Sequence, residues 1–472
     1  ISMECYPAAK SGGLGDVVGA LPIYLNRAGI STTVIIPKFQ TKWLNQQWFR
    51  QVFSGHIKLG NELVWFSIEE VMTDGKLGFP LYVANIPGKF DRPGVYSDPV
   101  GGWYGDETER HLCFQQAVLK WVVSMHWKPE ILHCHDHHTG LIPFMVKYCP
   151  EFESLRRMPT VFTIHNGAYH GSFSWSRMAL LPMFQAAARG LLDWADTICP
   201  LAAGIKNSWQ WTTVSPGYLE ELRYDSNGME WLMNHELPKA QGIINGIDAE
   251  LWNPATDLLI AHKLENGDVE SFKQKNRAVL LDRFRIIPDL PIVTFIGRLV
   301  GEKGGDLIAE AVRRALNNGS RFGFIVLGTG EPEIMDAIRP LRNQLSGHFD
   351  AALEYNEALA HQLYAGSDFL FMPSRVEPCG LNQMYACRYG TVPIVRSVGG
   401  LKDTIPDIGE NGGRGIRFNH FSGDDAALAV YRATRVYANQ EVFGNLRKRI
   451  MAVDFSWERS AGAYIRMYNE LS

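Results

Sequence analysis

The chain of 472 residues is about three times the length of a typical 150-residue domain, and its make-up of 46% hydrophobic and 20% charged residues with 45 Gly and 24 Pro excludes disordered and fibrous classes. A formal charge of -4 on 46 basic and 50 acidic side chains leaves no broad basic field for a nucleic-acid backbone. Seven scattered cysteines with no CxxC spacing argue against a disulfide framework or zinc site and for a reducing compartment; no apolar run approaches the ~20 residues that cross a bilayer, so a soluble protein is expected.

Strand-length apolar runs alternate with segments of helical period, the pattern of parallel sheets covered by helices on both faces. ISMECYP leads through a Gly-rich turn into a helix over Asp16 to Arg27, with Pro22 expected to kink it and Gly29 at its C-terminal cap, and then into the strand STTVIIP. A helix over Glu109 to Trp127 presents Phe114, Val118, Trp121, Val122 and Met125 on one stripe and leads to the strand EILHCHD; TVFTIHN is the next strand. The stretch from Tyr169 to Trp211, irregular and rich in Trp, Phe and Met, suits loops that line a binding surface. TTVSPGY and GIINGID each read as a strand with a turn, and Asn253 to Asp257 as a change to polar helix. From Pro291 a second alternating series begins: IVTFIGR, a helix over Asp306 to Leu316, FGFIVLG, AALEY, DFLFMPS and VPIVRS, with helices between. Three helices, Asp425 to Asn439, Glu441 to Ala452 and Trp457 to Leu471, close the chain. The boundary is expected near residue 250.

Helix N-termini that follow strands through glycine turns present unpaired N–H groups to anions. Lys10 precedes Ser11, Gly12, Gly13, Leu14, Gly15 and Asp16, so bare backbone and one cation suit a diphosphate; a plain tight turn capped by Asp16 fits the same letters. In IVTFIGRLVGEKGGDL, Arg298 stands at a strand end and Lys303 five residues on, where ligands of open α/β sheets bind; as isolated residues both also read as solvated surface charges. Glu377 in SRVEPCGLNQMYACRYG follows the strand DFLFMPS and precedes a helix expected over Gly380 to Tyr389, suiting sugar hydroxyls, although a Glu before Pro is also an ordinary loop residue. In HCHDHH, alternation puts His133 and His135 on one face with Asp136 and His137 at the strand end, without metal-site spacing. His165 and Asn166 end the strand TVFTIHN, where a ligand-facing and a buried histidine are equally compatible with the letters. No Asp-any-Asp triplet is present to hold a divalent ion on a sugar nucleotide.

KSGGLGDVVGALP, DRPGVYSD, HCHDHHTGL, FTIHNGAY, TTVSPGY, INGID followed by LWNP, GRLVGEKGGDL, MPSRVEPCGLNQMYACRYGTVPIVRSVGGLKDT and the terminal FSW together resemble the bacterial glycogen synthases and plant starch synthases, over nearly the whole chain. The resemblance implies an α/β GT-B architecture: two Rossmann-like doubly wound domains facing across a deep cleft, residues 1–250 on the acceptor side and 251–456 on the nucleotide-sugar side, with the C-terminal helix 457–472 crossing back to the first. It implies transfer of glucose from ADP-glucose to the non-reducing 4-hydroxyl of an α-1,4-glucan with retention, without cofactor or metal. The expected partners are thus a nucleotide sugar and glycogen, starch or maltooligosaccharide, with no nucleic acid and no membrane. The expected location is the cytoplasm of a bacterium or the plastid stroma of a plant or alga.

Carried across by position, Lys10 with Gly12 and Gly13 would lie near the diphosphate and acceptor side, and Asp16 near the donor sugar. His165 would contact the glucosyl unit, Arg298 and Lys303 the diphosphate, and Glu377 the far side of the donor sugar. Cys379, Gly380, Leu381 and Asn382 would lie near glucose and phosphate, and Tyr355 near the base; Asn166 and Asn245 complete the candidate substrate-binding set. Tyr385 replaces the Glu that related retaining transferases place eight residues after Glu377 to hold a ribose, and Asn382 stands where Thr is common. A transferase of another sugar nucleotide would be expected to carry Glu at 385, a phosphorylase a cofactor lysine and a longer chain, and a silent glucan-binding protein would have lost Lys10, Arg298, Lys303 or Glu377.

Overall fold

The computed structural model describes residues 1–98, 102 and 104–471. The chain divides into two compact units: residues 1–214, 219–243 and 460–472 form the first, and residues 215–218 and 244–459 the second. Residues 244–250, including Asn245, and residues 457–459 therefore belong to the second unit rather than the first.

In the first unit, Ile1 and Ser2 form a short extended segment between two four-stranded sheets. Ile1 donates to His133 O and accepts from His135 N, while Ser2 N donates to Ile35 O. Strands Val34–Pro37, Leu81–Asn85, Glu62–Met72 and Trp48–Leu59 follow in that order on one side, and Leu132–His135, Thr160–Ile164, Gln210–Thr213 and Ala240–Gly242 on the other. The pairing of Val34–Pro37 with Leu81–Asn85 is parallel, and the whole second set is parallel. The long antiparallel hairpin of Trp48–Leu59 and Glu62–Met72 was not anticipated; its outer strand alternates irregularly between exposed and half-buried residues and so carries no clean period of two.

The first helix is Gly13–Arg27, three residues longer at its start than expected, with Pro22 inside it. Its end is a Schellman motif: Ile30 N donates to Leu25 O and Gly29 N to Asn26 O, with Gly29 at φ 87°. The helix expected over Glu109 to Trp127 is Glu107–Ser124. No polar helix forms at Asn253 to Asp257; that stretch is turns, and the helix comes later, at Val269–Arg283.

The second unit is built on a six-stranded parallel sheet in the spatial order Phe349–Ala352, Gly323–Leu327, Ile292–Ile296, Phe369–Met372, Val392–Arg396, Ile416–Phe418. Numbered along the chain, this is the 3-2-1-4-5-6 order of a doubly wound dinucleotide-binding sheet. Gly323–Leu327 and Phe369–Met372 are buried throughout, which explains their continuous apolar letters: both faces of a parallel sheet are covered. The order reverses between Ile292–Ile296 and Phe369–Met372, and the carboxyl ends of the strands at such a reversal are where open sheets of this kind bind ligands. Among the described residues, no helix is long and apolar enough to cross a membrane.

Candidate active site

At the strand-order reversal of the second unit, Gly297 and Arg298 leave one central strand and Pro373 to Glu377 leave the other. Lys303 Nζ donates to Glu377 Oε1 at 2.7 Å, and Ser374 Oγ donates to Glu377 Oε2 at 2.9 Å. The Glu377 side chain is 8% exposed and that of Lys303 24%, so the pair lies in a partly desolvated setting where charge counts for more than at an open surface. Gly304 makes the approach possible. Its φ is 70°, and a Cβ there would meet Pro373 O at 2.2 Å, so the loop carrying Lys303 folds directly onto the strand end that leads to Glu377. Gly400 N donates to Glu377 O at 3.1 Å, fixing the backbone of the acid from the other side. Arg298 is exposed and, among the described residues, has no ion-pair partner. The sequence-based reading treats Lys303 and Glu377 as serving different parts of a donor; the structure joins them in one ion pair.

The helix expected over Gly380 to Tyr389 is shorter, Asn382–Arg388. Asn382 Nδ2 donates to Ile296 O at 2.7 Å, tying the helix start to the end of the first central strand. Cys379 is buried and burial pushes its thiol up to about 12, so it is a neutral thiol and no nucleophile. Asn245, 7% exposed, has a buried Oδ1 without a hydrogen-bond partner among the described residues. Tyr355 is 83% exposed in the loop after Phe349–Ala352. Tyr385 stacks on Trp252 at 3.8 Å between ring centroids, and His361 stacks on the other side at 3.9 Å. The ring at the position of the missing carboxylate is thus spent on an aromatic sandwich.

In the first unit, three loops leave neighbouring strand ends. The glycine loop is held by a residue the sequence reading passed over: Glu4, 3% exposed, accepts from Ser11 N at 2.6 Å and Gly12 N at 2.9 Å through Oε2, and from Tyr96 OH at 2.8 Å through Oε1. Two backbone donors expected to face a ligand are therefore already used. Asp16 does not cap the helix; Gly12 is the N-cap residue, and the Asp16 carboxylate accepts from Lys10 Nζ at 2.6 Å. The letters carry a signal for Glu4, the one acid in the segment ISMECYP.

Gly12 and Gly13 differ from Gly15 and Gly19. A Cβ on Gly15 would meet Lys10 Cγ at 3.0 Å and one on Gly19 would meet Tyr6 O at 2.6 Å, so internal packing accounts for those two. A Cβ on Gly12 or Gly13 would meet nothing within 4 Å, and Gly12 has an extended backbone (φ -147°) that any residue adopts. Neither packing nor dihedral strain accounts for these two glycines.

His135 Nδ1 and His165 Nε2 are 3.0 Å apart, and Asp136 accepts from His165 N at 2.7 Å. Burial pushes the half-buried His165 down to about 3 and lowers His135 strongly, so at neutral pH both are neutral imidazoles sharing one proton-donating contact. Asp136, itself 7% exposed, is pushed up to about 7 by burial, against the backbone hydrogen bonds from His165 and Asn166, with Glu4 adding to the rise. Asn166 turns its Oδ1 to Ala168 N at 3.0 Å. His133 and His135 do share a face, stacked at 4.3 Å, but His133 is engaged by Tyr468 OH and Thr163 Oγ1. Among the described residues, no group of three or more His, Cys, Asp or Glu is placed to hold a metal ion.

Residues 1–235 match the family described as starch synthase catalytic domain, and residues 277–432 match glycosyl transferases group 1. The chain is 46% identical over 470 residues to a glycogen synthase of Flavobacterium johnsoniae, covering 99% of this chain and 98% of that protein. It is 34% identical over 481 residues to a glycogen synthase of Streptococcus sanguinis, covering 99% and 98%. Among solved structures, the catalytic domain of starch synthase IV from Arabidopsis thaliana bound to ADP and acarbose superposes with a TM-score of 0.85 at 30% identity, over 99% of this chain and 97% of that one. A sucrose-phosphate synthase from Thermosynechococcus elongatus, 16% identical with a TM-score of 0.57 over 98% and 94%, shares the fold.

Proposed function

Because the chain belongs to the glycogen and starch synthase family of GT-B glucosyltransferases, we propose that it transfers glucose from ADP-glucose to the non-reducing 4-hydroxyl of an α-1,4-glucan, with retention of configuration. The observation that carries the reading is the Lys303–Glu377 pair at the strand-order reversal of a 3-2-1-4-5-6 sheet, the place where such sheets bind nucleotides, with exposed Arg298 following one of the two central strands.

As the bond between glucose and ADP breaks, negative charge grows on the leaving diphosphate. Arg298 and Lys303, already in place, stabilise that charge more in the transition state than in the ground state. The departing phosphate oxygen takes the proton of the acceptor hydroxyl on the face it leaves, so the configuration is kept and no enzyme nucleophile is needed. Glu377, held by Lys303 and Ser374, serves as an acceptor for the donor sugar's hydroxyls. Lys10, Gly12, Gly13 and Asp16 serve the donor phosphate and sugar, with the open space at Gly12 and Gly13 in support. His165, neutral and with Nε2 held by His135, orients a sugar hydroxyl through its other nitrogen. Asn166, Asn245, Cys379, Gly380, Leu381 and Asn382 line the sugar and phosphate positions, and Tyr355 the base. The burial of all the cysteines as free thiols supports a reducing compartment, bacterial cytoplasm or plastid stroma.

Radiolabel incorporation into maltooligosaccharide primer from ADP-glucose and UDP-glucose, side by side, tests the reading. Transfer from ADP-glucose with an α-1,4 product is expected; preference for UDP-glucose overturns the donor, and no incorporation from either overturns the activity.

A further inference from the structure

Residues 215–218 belong to the second unit, and the letters Ser-Pro-Gly there open a helix, Pro216–Leu222. Ser215, fully buried, stands in front of it as the capping residue and accepts from Tyr218 N at 3.0 Å through Oγ; Pro216 takes the first helical position, where a missing N–H leaves no hydrogen bond unmade. A cap needs only the lone pairs of the hydroxyl. Its proton goes elsewhere: Ser215 Oγ donates to Pro378 O at 2.6 Å, 163 positions along the chain and one residue after Glu377. The second donor of the helix, Gly217 N, is taken by Asp403 Oδ2 at 2.6 Å, and Asp403 lies beside the Ser215 hydroxyl as well.

Three glycines record how closely these segments stack. A Cβ on Gly217 would meet Gly399 O at 2.5 Å, one on Gly399 would meet Glu377 O at 2.2 Å, and one on Gly400 would meet Cys379 O at 2.1 Å. At these points backbone lies directly on backbone in three layers, Ser215–Tyr218 on residues 399–400 and these on residues 377–379. Gly400 N donates to Glu377 O at 3.1 Å, so two successive carbonyls of the loop, Glu377 O and Pro378 O, are each held. Lys303 and Ser374 hold the carboxylate of Glu377, whereas Gly400 and Ser215 hold the backbone it hangs from. Because the Glu377 side chain is nearly buried, a shift of that backbone carries the carboxylate with it.

We propose that Ser215 is a positioning residue for Glu377: by holding Pro378 O, its hydroxyl fixes the backbone from which the carboxylate reaches its place. What Glu377 does there rests on the transfer reading above; that Ser215 fixes the loop rests on the contacts themselves. A displaced carboxylate weakens the hold on the reacting sugar more than the hold on the nucleotide, so kcat falls while the apparent KM for ADP-glucose moves little.

Two variants test this. Ser215→Gly removes the hydroxyl but starts a helix almost as well as Ser, and Ser215→Thr keeps the hydroxyl as both donor and acceptor. Each is compared with wild type in steady-state transfer from ADP-glucose to maltooligosaccharide, in hydrogen exchange of the peptide covering residues 374–381, and in thermal midpoint. Ser215→Gly is expected to lose ~10-fold in kcat with KM within ~2-fold, and to exchange faster in residues 374–381 while the strands Gly323–Leu327 and Phe349–Ala352 exchange as in wild type. Ser215→Thr is expected to stay near wild type in all three. Unchanged kcat and exchange in Ser215→Gly overturn the proposal, as does faster exchange throughout the sheet, which would mark Ser215 as a stability residue alone. So does a Ser215→Thr variant that melts with wild type yet matches Ser215→Gly. A wild type that transfers glucose from neither ADP-glucose nor UDP-glucose removes the transfer reading instead, and the exchange comparison still decides whether Ser215 fixes the loop.

Discussion

Lys303 Nζ lies 2.7 Å from Glu377 Oε1, joining residues 74 positions apart across the reversal point of the second sheet. Since each partner satisfies the other, neither acts alone. Replacing Lys303 by Ala leaves a nearly buried carboxylate with Ser374 as its remaining side-chain partner, and about 2 kcal/mol of stability should go with it. Glu377→Gln should lower kcat by ~10²-fold while ADP affinity changes little, because the sugar rather than the diphosphate is its partner. The double variant should lose no more activity than the worse single one; urea midpoints and steady-state kinetics check this, and additive losses would show that the two act independently.

Gly12→Ala and Gly13→Ala should fold with stability within ~1 kcal/mol of wild type, since the added methyl meets only open space and Ala is the better helix former at position 13. Transfer should nevertheless fall ~10-fold or more if a diphosphate approaches the loop closely. Gly19→Ala, by contrast, must push against Tyr6 O and should lower the thermal midpoint. Full activity in both Gly12→Ala and Gly13→Ala would show that nothing approaches there.

Asp136 has a folded pKa of about 7, raised by burial from the ordinary carboxylate range. Between those two values the folded chain holds a proton that the unfolded chain has released. The contribution of Asp136 is therefore present below the unfolded pKa and is lost as pH rises through about 7. Asp136→Asn keeps an oxygen for His165 N and removes the ionisation. The difference in thermal midpoint, variant minus wild type, should increase from pH 5 to pH 8; the comparison at one site cancels the histidines, whose depressed values act in the opposite sense. A difference that is flat with pH would mean the carboxylate is ionised throughout.

Activity should survive EDTA, because the leaving diphosphate is met by Arg298 and Lys303. Loss of transfer on chelation, with recovery on adding Mn²⁺, would require a metal-held donor and return the HCHDHH segment to consideration.

The strands that carry the site were readable in the letters because a parallel sheet buried on both faces demands continuous apolar runs, as in IVTFI, GFIVL and FLFM, and because polar chemistry then has to gather at their ends. His165, Arg298 and Glu377 stand out in sequence for that reason. The Trp48–Met72 hairpin did not, since its partly exposed strands lack a regular alternation. Pairing was decided only by tertiary structure. Nothing in the spacing joins Lys303 to Glu377, Glu4 to the backbone of Ser11 and Gly12, or Tyr385 to Trp252; these contacts follow from strand order and from how tightly loops fold back, which depend on the whole sheet. Local sequence determined which residues reach the ends of the strands, because burial acts residue by residue; the assembled sheets determined which of them meet, because contact depends on neighbours distant in the chain.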